Sequence, residues 1–342
     1  MLSSGLKKAL QPIYIFSHPR VCSNLFLKLL SQHPQLYFKT YTFAESFFHG
    51  PEKLDRRVIQ GEKTTAKDHP ETEIRKPVSY QAAFDELNEF IIETRAKGKV
   101  PAIKDHIRLL LDPWIAATEF QYNVPRKILP SPIVEMRPSK SLPTVPHTGG
   151  TEAPCPIVLP PEFLLAVRPI MLIRDPIRVI PSFYKASVDS FGARIGDEDW
   201  PIDASLKCTR LLYDWYCNNG ITPILVDAYE LVHYTEEVMR GVCEKLEIDF
   251  SGVIVSWSRC DWIESDRGYQ DWRGTLWNST KIDPTLEPEN ADIEEEFTKW
   301  RGIWGDEIAG GLKRSVGLAK EDYVYLRQHA LGTNGEYTLQ LY

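Results

Sequence analysis

The turn Ser17-His18-Pro19-Arg20-Val21-Cys22-Ser23-Asn24-Leu25-Phe26-Leu27 joins an apolar run to the start of a helix-spaced segment. A strand, a tight basic turn and a helix start aim backbone N–H groups and the positive helix end at an anion. Arg20 adds a fixed charge and Ser23 a hydroxyl donor. The Walker A pattern is absent, so the loop does not read as a site for ATP or GTP hydrolysis with a magnesium-bound hydroxyl. Two further groups end apolar runs. In Ile173-Arg174-Asp175-Pro176, Asp175 suits the N-cap and Pro176 the first helical position, so Arg174 leaves a strand edge where a helix begins. Arg178 and Ser182, four apart, share one face of that helix. Lys104-Asp105-His106 closes the other run. Each group also has an ordinary reading: a turn with a surface arginine, a helix cap, a structural histidine.

The elements that position these groups are legible as apolar runs with polar ends, the pattern by which a parallel α/β sheet presents its ligand edge. They cover Pro12 to Phe16, Val100 to Ile103, Pro169 to Ile173 and Thr222 to Asp227. Helix-spaced apolar residues stand at Leu25, Phe26, Leu29 and Leu30 and at Val232, Val238, Val242 and Leu246. The alternation predicts one α/β domain over residues 1–342, with a central parallel sheet flanked by helices. Ten prolines deny regular structure to 124–161, which reads as a long loop or lid, and 293–342 reads as a helical extension with Phe297, Trp300 and Trp304 at helical spacing.

A net charge of −7 argues against a nucleic-acid or membrane-surface binder, so an anionic ligand needs a local basic pocket. The N-terminus has no signal-peptide core, and no apolar run reaches the roughly 18 residues of a membrane span, so the expectation is a soluble, cytoplasmic protein. The six cysteines are scattered with no metal spacing, which reads as reduced thiols and no metal site.

Pro19 to Leu25 resembles the 5′-phosphosulfate loop of sulfotransferases, usually P-[KR]-[ST]-G-[ST]-T-x-[LW], and Ser17 to Leu30 is similar to a fungal sulfotransferase-like group that writes S-H-P-R-T-x-S-N-L. Cys22 stands at the usual glycine and Asn24 at a usual hydroxyl residue. The resemblance implies a P-loop sulfotransferase-like fold that uses 3′-phosphoadenosine-5′-phosphosulfate (PAPS) and releases the desulfonated nucleotide PAP. Arg20, Val21, Cys22, Ser23 and Asn24 are then the 5′-phosphosulfate cradle, and Arg174 and Ser182 the 3′-phosphate anchors. Lys104-Asp105-His106 is similar to the family's K-x-H, which makes His106 the general base and Lys104, with Arg20, the cations near the transferring sulfonate. A histidine with a pKa of about 6.5 suits proton removal from an acceptor hydroxyl at neutral pH. Some branches use a glutamate between the first loop and the second motif. Glu45, among Tyr41, Phe43, Phe47 and Phe48, is the better-placed candidate and Glu62 the other. Trp272-Arg273-Gly274 and Ser279-Thr280 resemble the family's C-terminal nucleotide segment only loosely, and a surface turn explains them as well.

The implied acceptor is a small, largely apolar molecule bearing a hydroxyl or amine. Two other readings stay open: the same fold turned to cyclisation, isomerisation or elimination without sulfonate transfer, and a nucleotide-binding interaction protein. The oligomeric state is not legible.

Overall fold

The computed structural model describes residues 10–52, 54, 77–121, 132–136, 154–259, 276, 278–287 and 291–332. In chain order its strands are β1 (Ile13–Ser17), β2 (Leu36–Thr40), β3 (Val100–His106), β4 (Arg168–Ile173) and β5 (Ile224–Asp227). The helices are α1 (Ser23–Leu30), α2 (Ala44–His49), α3 (Tyr80–Ala96), α4 (Pro113–Phe120), α5 (Pro161–Leu165), α6 (Pro176–Phe191), α7 (Trp200–Asp203), α8 (Lys207–Asn218), α9 (Ala228–His233), α10 (Thr235–Leu246) and α11 (Ile293–Arg327). The five strands form one parallel sheet in the order β2-β3-β1-β4-β5, flanked by helices, which is the expected α/β fold class.

Strand order follows from composition. Ile13-Tyr14-Ile15-Phe16-Ser17 is buried throughout, as a central parallel strand covered on both faces requires. Leu36-Tyr37-Phe38-Lys39-Thr40 buries only Leu36, so β2 takes an edge. The chain leaves β1 for one side of the sheet, then crosses to β4 on the other, so the order reverses at β1. In open α/β sheets that reversal is where ligands bind, beyond the carboxyl ends of the strands.

By internal contacts the chain divides into two compact units: Met1–Phe16, Tyr37–Pro169 and Leu211–Thr222, and Ser17–Leu36, Ile170–Arg210 and Pro223–Tyr342. The core of the first is aromatic. Tyr14 stacks on Phe16 at 4.4 Å between ring centroids, Phe163 meets Tyr14 and Phe84 edge-on, and Phe43 stacks on Tyr80. Ile157 forms an isolated antiparallel bridge with Leu111, and Val158 N donates to Leu110 O at 2.8 Å. The last residues of the proline-rich stretch are therefore core. Its remainder, apart from 132–136 and 154–161, lies outside the described residues.

In the second unit α11 packs on α6 through Ile180, Phe183, Tyr184, Trp300, Leu312 and Val316. Trp200 Nε1 donates to Ser315 Oγ at 3.0 Å, which satisfies the one polar atom of a buried indole. Gly305, at φ 82°, breaks the helical geometry of α11, a conformation glycine adopts without steric cost. The helix-spaced tail aromatics are thus the face of α11 that closes this core. None of the described helices is long and apolar enough to cross a membrane.

Candidate active site

The loop after β1 is built on two left-handed residues, Arg20 at φ 70° and Cys22 at φ 60°. Val21 between them is buried in the core. A residue with a Cβ in this region costs roughly 1–2 kcal/mol, and such strain collects at functional loops. Cys22 therefore adopts the kind of backbone conformation that glycine reaches freely at the family position. It is the N-cap of α1 and offers no side-chain cap. Phe26 N donates to Cys22 O at 3.0 Å as the first helical bond, which leaves the N–H groups of Ser23, Asn24 and Leu25 without intrahelical acceptors. Among the described residues Asn24 Oδ1 is buried with no hydrogen-bond partner. Rotation of that amide turns the same position into a donor. An uncapped helix start, a buried Ser23 and an unsatisfied amide together fit an oxyanion ligand.

His18 anchors the loop from below. It is buried, with Nδ1 2.6 Å from Pro19 O and Nε2 2.7 Å from Asp203 O. Burial pushes its imidazole toward the neutral form, while the two carbonyl oxygens pull the other way. The sequence reading did not single it out, although it belongs to the S-H-P-R signature. Burial pushes the Cys22 thiol up against the pull of Arg174 and Arg20, so Cys22 is a thiol rather than a nucleophilic thiolate.

The predicted anchors meet this loop. Asp175 caps α6 by accepting from Ile177 N at 3.0 Å, with Pro176 in the first turn, as the sequence indicated. Ser182, two turns into α6, accepts a hydrogen bond from Arg20 Nε at 2.9 Å. Arg174 Nη1 donates to Arg20 O at 3.0 Å. Arg20 is thus brought, from a distant part of the sequence, onto Arg174 and Ser182 within one unit. Arg178 turns instead to Glu296 on α11, at 3.2 Å.

Arg174 has a partner that no sequence signal suggested. Its Nε donates to Glu287 Oε1 at 3.0 Å and its Nη2 to Glu287 Oε2, a bidentate pair whose carboxylate is 5% exposed. Glu287 ends a short 3-10 turn, Pro284–Leu286, capped by Asp283.

Lys104 and His106 are two apart on β3 and so share one face, while Asp105 faces the other way. Lys104 is fully buried, with its Nζ 3.7 Å from the centre of the Tyr41 ring and 3.2 Å from His106 Nε2. An ammonium has no acceptor, so the hydrogen bond assigns the Nε2 lone pair to Lys104 and the ring proton to Nδ1. Tyr41, at φ 56°, donates its N–H to Lys104 O at 2.8 Å and meets the His106 ring edge-on at 5.3 Å. Tyr41 is a site residue that sequence reasoning named only as an aromatic neighbour of Glu45. On the opposite face Asp105 accepts from Tyr14 OH at 2.9 Å, and burial pushes its carboxyl up to about 7. Glu45 lies half-exposed in the first turn of α2, where a carboxylate also suits the helix dipole. Glu62 and Trp272-Arg273-Gly274 lie outside the described residues.

The parallel sheet, with a left-handed loop leading from its central strand into an uncapped helix, is that of an α/β protein of sulfotransferase-like architecture. The comparison with known proteins narrows the class. The chain is 26% identical over 347 aligned residues to a protein named sulfotransferase ppzF from Metarhizium majus, across 93% of this chain and 96% of that one. It is equally similar to a sulfotransferase ppzF from Metarhizium rileyi, across 93% and 95%. The resemblance to a fungal sulfotransferase-like group thus rests on relatives matched along nearly their whole length. A shorter stretch, 29% of this chain, is 31% identical to part of a branched-chain-amino-acid aminotransferase-like protein from Arabidopsis thaliana. No protein-family profile matches the chain, and no solved structure does.

Proposed function

We propose that this protein is a cytoplasmic, PAPS-dependent sulfotransferase that sulfonates a hydroxyl or amine of a small, largely apolar acceptor, as an enzyme of secondary metabolism. The observation that carries the proposal is the hydrogen bond from Arg20 Nε to Ser182 Oγ, which joins the anion loop to the third motif. A basic loop bonded directly to the strand-end arginine and helix serine of the third motif is an arrangement that a nucleotide with phosphates at both its 5′ and 3′ positions would use.

In this reading Arg20, Ser23 and the first N–H groups of α1 hold the 5′-phosphosulfate, and Arg174 and Ser182 hold the 3′-phosphate. His106 accepts the acceptor's proton as its oxygen or nitrogen bonds to sulfur. The sulfur–oxygen bond to the 5′-phosphate breaks, and its electron pair stays on the phosphate. Lys104 and Arg20 offset the charge that spreads over the bridging and sulfonyl oxygens. Glu45 is the alternative base. His106 is preferred for its place beside the buried Lys104 on one face of β3, and it takes the proton at Nε2 once Lys104 turns from that nitrogen to the sulfonate oxygens.

A second reading has one observation in its favour. The carboxylate of Glu287 already spans Arg174, as suits a fold turned to a reaction without a 3′-phosphonucleotide. Titration calorimetry with PAP separates the two. Arg174→Ala and Ser182→Ala should each weaken PAP binding by about 1.5–3 kcal/mol, the loss expected for a charged hydrogen-bond partner. Binding unchanged in both folded variants would reduce the third motif to a helix cap.

A further inference from the structure

Resting on the nucleotide assignment above, we infer that Glu287 is an internal competitor for the 3′-phosphate, a carboxylate that holds Arg174 until the nucleotide's phosphate takes its place. The Nε and Nη2 edge of a guanidinium is the one that matches a carboxylate or phosphate bidentately, and on Arg174 both of these nitrogens donate to Glu287. The remaining nitrogen, Nη1, donates to Arg20 O. A phosphate seated on Arg174 and Ser182 therefore meets a negative charge on the arginine edge it needs.

The exchange is physically reasonable because it trades one anion for another. Removing a partner from a buried ion pair leaves an uncompensated charge and is strongly unfavourable, but replacing the carboxylate by a phosphate keeps Arg174 paired. The segment that carries Glu287 is suited to such a movement. It is tied to the rest of its unit at Trp257, whose N–H donates to Thr280 O at 2.9 Å and whose Nε1 donates to Ser279 O at 3.1 Å. Beyond that tie, Asp283, Pro284 and Thr285 are exposed, and Glu287 is held at its carbonyl by His233 Nε2 at 2.6 Å. Its side chain can leave Arg174 without the segment leaving Trp257.

The charge of Glu287 should weaken binding of PAP and leave nucleotides without a 3′-phosphate untouched. By calorimetry Glu287→Gln should bind PAP about tenfold more tightly than the parent and bind 5′-ADP unchanged. Glu287→Ala should behave alike, with circular dichroism confirming that both variants fold. On the parent protein, hydrogen exchange of the backbone around 284–287 should rise when PAP is added. If the parent binds PAP and Glu287→Gln binds it equally or more weakly, Glu287 positions Arg174 rather than competing for it, and the inference falls alone. Unchanged or slower exchange around 284–287 would contradict it as well. If neither parent nor variant binds PAP, the nucleotide assignment falls and takes the inference with it.

Discussion

Cys22, where the resembling loops write glycine, takes the left-handed backbone that glycine would take freely, at φ 60° and ψ 21°. A residue with a Cβ holds that conformation at a steric cost that glycine does not bear. At the same scale, the roles proposed for Lys104 and His106 predict different losses. A residue that faces the acceptor makes little ground-state contact with the nucleotide, so His106→Ala should leave PAP affinity nearly unchanged. Turnover on an identified acceptor should fall by about 10²–10⁴, the usual contribution of a positioned acid–base group. Lys104→Ala should lower both rate and PAPS affinity. Full activity in His106→Ala together with a dead Glu45→Gln would transfer the base role to Glu45. Arg174, Lys104 and His106 stood out in the sequence because charged residues are unusual at the ends of apolar strands, and Arg20 and Ser182 because the motifs that hold them resemble the family's. Tyr41 and Glu287 were not, since an aromatic among aromatics and a glutamate in a polar stretch carry no local signal. Only the fold sets Tyr41 against Lys104 and Glu287 against Arg174.

At the scale of elements, β3 sorts its residues by alternation, with Lys104 and His106 on one face and the buried Asp105 on the other. Burial raises the Asp105 carboxyl to about 7, and the same cause raises Asp227 to about 6. A carboxyl whose folded pKa lies above its unfolded value binds its proton more tightly in the native state. Its stabilising contribution is full below about pH 4 and is lost as pH rises through the folded pKa. These two carboxyls should therefore contribute a fall in stability between about pH 4 and 7, which the buried His18, held toward its neutral form, opposes. Asp105→Asn should flatten the upper part of that fall and leave the part due to Asp227, as urea unfolding at a series of pH values would read. An unchanged slope between pH 6 and 7 would mean that Asp105 is ionised in the folded protein. Four of the five strands were visible as apolar runs, because buried parallel strands are apolar on both faces. The edge strand β2 was not, because Tyr37, Phe38, Lys39 and Thr40 leave no continuous apolar run and only Leu36 is buried. The prolines hid the buried Ile157, Val158 and Leu159 in the same way, since composition over a window outweighs three core residues at its end.

For the whole molecule, a net charge of −7 coexists with two arginines joined at one loop, Arg20 and Arg174, the second already paired with Glu287, and the proposed nucleotide would draw its local positive charge from them. The order of the motifs along the chain was legible, and the full-length fungal relatives agree with the class it implied. The acceptor was not legible, because apolar lining residues specify polarity and size rather than identity. The account stands or falls on recognition of a nucleotide with phosphates at both ends, which thermal unfolding reads directly. With PAP at about 100 times its Kd, linkage predicts about 2.7 kcal/mol of added stability, a rise in Tm of several degrees for a chain of this size, while ATP should give far less. A folded sample that shows no shift with millimolar PAP, or an equal shift with ATP, would contradict it.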